Sequence, residues 1–452
     1  AGELAARTYR IARLLRDRGI GPENIVALSL PRSVDIVASI FAVWEAGAGY
    51  VVLDPAYPRE RLDRLVELAR PSLVLRDDEL SDLSSYDTTR LGADELAGPR
   101  RAEDMAYVLF TSGSTGTPKG VVVRSGGLAH LAARQRACLY SDAASRAGGR
   151  RLNIAHTTSF AFDASLDPLL WILDGHRIHL YDSEVQRDAE LQVQRFRTDR
   201  IDVVDTTPSM AAFLIEAGLI EAGLVSTIVV GGEALPTSVA EQLARSSARV
   251  YNMYGPTEAT VDAISAEVTG VDVHIGRPLD GTAAYLLDSA LQPVLDGETG
   301  ELYLAGPQLA RGYLDRPGST AERFVANPFV SGTCMYRTGD LARWNPETGY
   351  QYRGRADDQV KIRGHRVELR EVEAALAQCD SVSAAVAVCT GTGPAAKLVG
   401  YVSATSELTG DDIRREMLTR VPDHLVPSTV MVLGEMPVTV NGKVDRARLP
   451  AP

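Results

Sequence analysis

Thr111-Ser112-Gly113-Ser114-Thr115-Gly116-Thr117-Pro118-Lys119-Gly120 is the part of this sequence best equipped for chemistry. Tyr107-Val108-Leu109-Phe110 precedes it and Val121-Val122-Val123 follows, so the order reads strand, glycine-rich turn, strand. Glycines let backbone N–H groups approach an anion. The hydroxyls of Thr111, Ser112, Ser114 and Thr115 add donors, and Lys119 adds a charge. The run suits a polyphosphate. It is not a Walker A loop, because counting from Gly113 the second glycine falls on Pro118. Nor is it a dinucleotide fingerprint, since no Gly-x-Gly-x-x-Gly is present. Taken alone, a Ser/Thr/Gly loop reads equally well as a connection.

Further groups follow in order: Asn252-Met253-Tyr254-Gly255-Pro256-Thr257-Glu258, Gly300-Glu301-Leu302, Ala310-Arg311-Gly312-Tyr313 and Tyr336-Arg337-Thr338-Gly339-Asp340-Leu341. Gly354-Arg355-Ala356-Asp357-Asp358-Gln359-Val360-Lys361-Ile362-Arg363-Gly364 and Asn441-Gly442-Lys443-Val444-Asp445-Arg446 complete the set. Ala46-Gly47-Ala48-Gly49-Tyr50 with Asp54-Pro55, and Phe162-Asp163-Ala164-Ser165, add two more. Together they resemble the core motifs of the adenylate-forming superfamily, specifically the amino-acid adenylation domains of nonribosomal peptide synthetases. The resemblance runs over nearly the whole chain. It implies an enzyme that joins an amino acid to AMP from ATP, releases pyrophosphate, and passes the acyl group to the phosphopantetheine thiol of a peptidyl carrier domain.

The resemblance also implies roles. The 111–119 loop, with Gly116, cradles the β,γ-phosphates, and Glu258 is the Mg²⁺ ligand, an ion that takes few carboxylates and keeps waters and phosphate oxygens. Tyr254 stacks on adenine, with the Gly231-Gly232 backbone on the other face, and Asn252 bonds the adenine amino group. Asp340 suits two ribose hydroxyls, and Tyr352 and Arg355 lie near the ribose and phosphate. Gly232, Glu233, Gly255 and Thr257 belong to the same nucleotide site. Lys443 is the catalytic cation at the α-phosphate and substrate carboxylate. Lys361 and Gly364 match a segment that swings in for thioester formation, about a hinge at Asp357.

Asp163 matches the acid that pairs with an α-ammonium, so the substrate is an amino acid. The carried-over pocket is Asp163, Ala164, Asp167, Asp205, Val229, Gly231, Met253, Val261 and Asp262, closed by Lys443. Three acids besides Asp163 facing one cavity need a cation among them. Arginine or a guanidino analogue ranks first, lysine or ornithine next. The bland alternatives are that Asp205 caps a turn and Asp167 caps a helix. Two other functions stay open: an acyl-CoA-forming relative and a non-catalytic scaffold. A condensation domain and an MbtH-like accessory protein are further partners the resemblance suggests.

The remaining composition is that of an ordinary globular chain: 452 residues, 45% hydrophobic and 23% charged. A net charge of −12, from 47 basic and 59 acidic residues, argues against nucleic acid. Cys138, Cys334, Cys379 and Cys389 form no Cys-x-x-Cys, which fits free thiols in a reducing cytoplasm and no zinc. His176 and His179 lack further ligands for a metal. No apolar run reaches the roughly 20 residues of a membrane span, and no signal peptide is visible.

Periodicity supplies the scaffold. Residues 4–18, 34–46 and 238–246 carry helical spacing; Ile25-Val26-Ala27-Leu28, Val203-Val204, Thr227-Ile228-Val229-Val230 and Val250-Tyr251 read as strands. This alternation predicts an α/β class with mixed, largely parallel sheets, whose ligands gather at the carboxyl ends of strands, as at Gly231-Gly232-Glu233 and Tyr254-Gly255. Residues 281–341 predict a small β-barrel section. We expect a large unit over 1–356 and a small α+β C-terminal lid over 357–452. In the lid, 359–362, 384–388 and 398–402 read as strands and 369–379 as a helix. Ala1-Gly2-Glu3-Leu4 resembles the second half of the family's first motif, so the piece reads as one module of a larger polypeptide.

Overall fold

Short buried strands of Val, Ile and Leu, each followed by a helix with one apolar face, build most of the chain. The computed structural model describes residues 2–113, 116–221, 223–362, 364–391, 395–404, 408–437 and 444–452. A six-stranded sheet runs in the order Gly312–Tyr313, Lys119–Arg124, Met105–Thr111, Gly49–Val52, Ile25–Ser29, Leu73–Arg76. Its last strands are parallel, whereas Met105–Thr111 and Lys119–Arg124 are antiparallel, so the loop between them is the head of a hairpin. A seven-stranded sheet runs Arg277–Pro278, Ile264–Glu267, Arg249–Tyr254, Thr227–Gly231, Val203–Thr206, Asn153–His156, Arg177–Leu180. Five of its strands are parallel and the two at one edge antiparallel. Val26 and Tyr107 of the first sheet share one core with Val203, Val229 and Met253 of the second. The second sheet's other face carries Val204, Ile228 and Val250.

The β section is a five-stranded antiparallel sheet: Ala283–Leu287, Thr299–Ala305, Cys334–Asn345 and Phe324–Ala326 in that order, with Gly349–Arg355 paired to Cys334–Asn345. It extends beyond residue 341, because Cys334–Asn345 is one strand of 12 residues. The turn signals around Gly339 mark a left-handed backbone position (φ +77°) and a register shift at Leu341/Ala342, not a strand end.

The C-terminal residues pack around their own core of Val367, Leu376, Val402, Ile413 and Met417. Here lie the hairpin Gln359–Ile362/His365–Glu368, the helix Leu369–Ala377 and a sheet of Val382–Thr390, Lys397–Ala404 and Thr429–Leu433. The helix Gly410–Arg420 and the strand Thr429–Leu433 escaped the sequence reading. That helix buries only Ile413 and Met417, too few for a clear period, although Thr409 and Asp412 form its capping box. Among the described residues no helix is long and apolar enough to cross a membrane.

Candidate active site

The hairpin head is shaped by its glycines. A Cβ on Gly113 would lie 1.8 Å from the Thr117 carbonyl oxygen, and Gly116 has φ +77°, so both positions require glycine. The Gly113 N–H donates to the Glu371 carboxylate at 3.3 Å. A carboxyl group is thus already held by the loop. Lys119, in register with Thr111, places its ammonium 5.2 Å from the Tyr313 ring centroid. Burial and the nearby Arg366 lower its pKa. Ser112 Oγ donates to the Arg366 carbonyl. Ser114 and Thr115 lie outside the described residues.

Alternation along Arg249–Tyr254 sends Tyr251 and Met253 into the inter-sheet core and Tyr254 toward the β section. Tyr254 donates its hydroxyl to Asp340 at 2.5 Å, and Arg355 reaches the other Asp340 oxygen at 2.7 Å. Arg355 also grips Asp357 at 2.6 and 2.9 Å. Burial pushes the Asp357 carboxyl up, but the guanidinium wins and holds it below its usual value. Tyr352 packs against the same apolar cluster as Tyr254. Asn252 is buried and donates its amide to the His274 carbonyl at 2.9 Å, so its side-chain oxygen is turned away from that bond. Gly232 (φ +81°) closes the neighbouring strand end. Glu233 accepts from Ser209 N and Oγ at 2.9 and 2.6 Å and from Gly364 N.

Gly255 and Thr257 set up the turn that carries Glu258; a Cβ on Gly255 would lie 1.9 Å from the Val261 oxygen. Glu258 is 1% exposed. It accepts from Tyr313 Oη at 2.6 Å and Arg366 Nη1 at 2.8 Å. Burial alone would raise its pKa, yet Arg366 and the hydroxyls of Tyr313 and Tyr336 bring it below the ordinary value. It is an ionised carboxylate that already faces a cation.

The acids converge. Asp163 takes a hydrogen bond from Ala164 N at 2.9 Å, and burial, tempered by Thr257, raises its pKa. Asp205 stands in register with Val229, and Gly231 with Met253, on the shared sheet. Thr260 and Val261, just before Asp262, both have positive φ (54° and 67°), an uncommon pair. Asp167 and Asp262 are each 7% exposed, while Asp163 and Asp205 are half-buried. Burial, then the neighbouring acids, raises Asp167 and Asp205 well above the usual range and Asp262 to about 7. Neither bland alternative describes these acids. Thr207, not Asp205, caps the helix Pro208–Glu216, and Asp167 lies inside the helix Leu166–Leu170 with no cap bond. Among the described residues, no ion pair reaches any of the four.

The hairpin Gln359–Ile362/His365–Glu368 occupies the cleft. Lys361 places its ammonium 5.8 Å from the Tyr254 ring centroid, and Glu371 pairs with Arg61 at 3.1 Å. Lys443 lies outside the described residues. Sequence reasoning missed Arg366, Glu371 and Gln135. Gln135 left one signal: it follows Leu128 and Leu131 at helical spacing on a buried face, where a polar residue needs a partner. The four cysteines are free, and the described residues hold no cluster suited to a metal beyond single carboxylates.

The family model for AMP-binding enzymes matches residues 2–314. Vanchrobactin synthetase VabF of Vibrio anguillarum is 40% identical over 96% of this chain, and a dimodular nonribosomal peptide synthase of Bacillus subtilis is 38% identical over all of it. The chain spans only 16% and 20% of those two proteins. Among solved structures, a four-domain nonribosomal peptide synthetase bound to AMP and glycine superposes with TM-score 0.70 at 33% identity, covering 100% of this chain and 34% of that one. A fused adenylation–carrier di-domain from Klebsiella oxytoca gives TM-score 0.81 at 24% identity over 95% and 87%, a likeness of fold.

Proposed function

Because this chain belongs to the AMP-binding enzyme family, as an adenylation domain of the nonribosomal peptide synthetase kind, we propose that the acid it activates is a basic amino acid. Arginine or a guanidino analogue ranks first, then lysine or ornithine. The observation that carries this reading is the group Asp163, Asp167, Asp205 and Asp262, near enough to raise one another's pKa and with no ion-pair partner among the described residues. Asp163 takes the α-ammonium. The other three suit a delocalised cation, and arginine's planar fork can engage two carboxylates at once. A neutral side chain leaves them to repel one another or to hold protons.

ATP fits the remaining groups. The Gly113 amide, Lys119 and Gly116 suit its β,γ-phosphates, Asp340 its ribose, and Asn252, Tyr254 and Gly232 its base. Glu258 suits Mg²⁺, being a buried, ionised carboxylate whose present partner is a cation. When bound, that ion neutralises phosphate charge. Lys443 then serves the developing charge at the α-phosphate. The hairpin that now fills the cleft, with Lys361, Gly364 and Arg366, belongs to the second step, transfer to the phosphopantetheine thiol of a carrier domain. The boundary between 1–356 and 357–452, at Asp357, is the pivot between the two arrangements. A condensation domain and an MbtH-like protein are further candidate partners.

Pyrophosphate exchange with arginine, lysine, ornithine, glutamine, leucine and aspartate tests this. The basic amino acids should lead; leucine or aspartate exceeding all of them would overturn the reading. No exchange with any acid would favour a scaffold.

A further inference from the structure

Gln135 lies at the end of the helix Ser125–Gln135 and is 1% exposed. Its side-chain nitrogen donates to Asp167 Oδ1 and, at 3.1 Å, to Asp262 Oδ2. Its side-chain oxygen accepts from Tyr140 Oη at 2.7 Å. Both amide hydrogens are therefore spent on two different carboxylates, and the acceptor is spent on a hydroxyl. Tyr140 is fixed in turn: its ring stacks on Trp171, centroids 3.9 Å apart, and its hydroxyl lies 3.4 Å from the Asp167 carbonyl.

The backbone is shaped for this contact. On an α-helix, residues five apart point roughly 140° away from each other. Here the helix passes into a π-helical turn over Arg136–Tyr140, closed by Ser141 N on the Arg136 carbonyl. An i→i+5 turn brings residues five apart onto one face, and such turns occur often at functional sites. The energetically less favourable turn is what lets Tyr140 reach Gln135.

We propose that Gln135, oriented by Tyr140, is a specificity-determining positioning residue: its amide ties Asp167 to Asp262 and sets them for the cationic end of the substrate's side chain. The inference rests on the basic-substrate reading of the same pocket. A neutral amide is the chemistry the task requires. It holds two acids at a fixed spacing without supplying a counter-cation, so both carboxyls stay available to a cation that displaces their protons. An apolar residue would let them separate or hold protons. A lysine in its place would supply the counter-cation from within and leave nothing for the substrate's charge to meet.

The test is ATP–pyrophosphate exchange by the wild type and Gln135→Met, Gln135→Lys and Tyr140→Phe, with KM measured separately for ATP and for each of arginine, ornithine, glutamine and leucine. Gln135→Met should raise KM for the preferred basic amino acid about tenfold to a hundredfold, the effect of leaving buried carboxylates unpartnered. KM for ATP should stay within about twofold. Tyr140→Phe should move KM in the same direction by less. Gln135→Lys should invert the ranking, with glutamine or leucine overtaking arginine. A wild type that prefers neutral amino acids would remove the basic-substrate reading itself. A wild type that prefers a basic amino acid, joined to a Gln135→Met enzyme with unchanged KM and ranking, would remove the role of Gln135 alone. A Gln135→Lys enzyme that still prefers arginine would do the same. If Gln135→Met fails to fold, the ranking shown by Gln135→Lys and the KM shift of Tyr140→Phe decide the matter by the same criteria.

Discussion

Replacing Arg366 by methionine should separate the two half-reactions. Arg366 arrives from the C-terminal hairpin and meets Glu258, which the core holds at 1% exposure, at 2.8 Å. The Arg366 side chain is itself only 17% exposed, so solvent screens this pair little. Unit charges about 4 Å apart at an effective dielectric near 20 attract by roughly 4 kcal/mol. Desolvation offsets much of that, but breaking such a pair on one side typically costs about 3–5 kcal/mol. In the proposed cycle of two arrangements the contact exists only while the hairpin fills the cleft, so its loss weighs against that arrangement alone. Even about 1.4–2 kcal/mol of that cost shifts the balance between two arrangements roughly ten- to thirtyfold. Loading of a carrier domain by Arg366→Met should therefore fall about tenfold or more, followed as thioester by intact-protein mass spectrometry. Pyrophosphate exchange should hold or rise, since Glu258 is freed from its competitor. Equal loss in both assays would show that Arg366 serves the nucleotide site generally, and unchanged loading would show that the pair does not hold the second-step arrangement.

Lys443→Ala should lower pyrophosphate exchange by ~10²–10³ while ATP binding persists, because a contact made to transition-state charge is the one removed; near wild-type exchange would end that assignment. Asp357→Pro fixes φ at the proposed pivot and should impair exchange and carrier loading unequally; equal impairment in a folded protein would place the pivot elsewhere. Asp262, with a folded pKa near 7 against an ordinary value of 3.8, binds a proton in the folded state that the unfolded chain lacks between those values. Stability contributed by that protonation is present below about pH 4 and is lost as pH rises toward 7. Melting temperature without substrate should thus fall across pH 5–7.5, Asp262→Asn should flatten the fall, and arginine should restore it most at the upper end. A profile indifferent to both would refute the repulsion among these acids.

The sheets were legible because Ile25–Ser29 and Thr227–Gly231 are short, mostly apolar runs rich in Val and Ile and bounded by turn residues, and Val203-Val204 opens a third. The hairpin head was legible because its glycines mark positions that no side chain can occupy. The helix Gly410–Arg420 was not, since its apolar face is only two residues wide. The strand Thr429–Leu433 was missed for a different reason: its partner, Lys397–Ala404, is close only after folding. The same limit applies within the site. Asp163, Glu258 and Asp340 could be named from motifs, but Arg366 meets Glu258 across 108 residues, and Glu371 meets Gly113 across 258. Gln135 carried only a local oddity, a polar side chain on a buried stripe, and its partners lie 32 and 127 residues away. Composition and spacing reveal which residues can do chemistry. Long-range packing decides which of them share a charge.

The claim that a basic amino acid is adenylated can be tested in one tube. The protein is incubated with ATP, Mg²⁺ and an equimolar mixture of the proteinogenic amino acids plus ornithine, the adenylates are trapped with hydroxylamine, and the hydroxamates are identified by mass spectrometry. The proposed pairing of Asp163, Asp167, Asp205 and Asp262 with a cationic substrate predicts arginine hydroxamate as the main product, with lysine or ornithine next. A leucine, phenylalanine or aspartate hydroxamate in excess of all the basic products would contradict it.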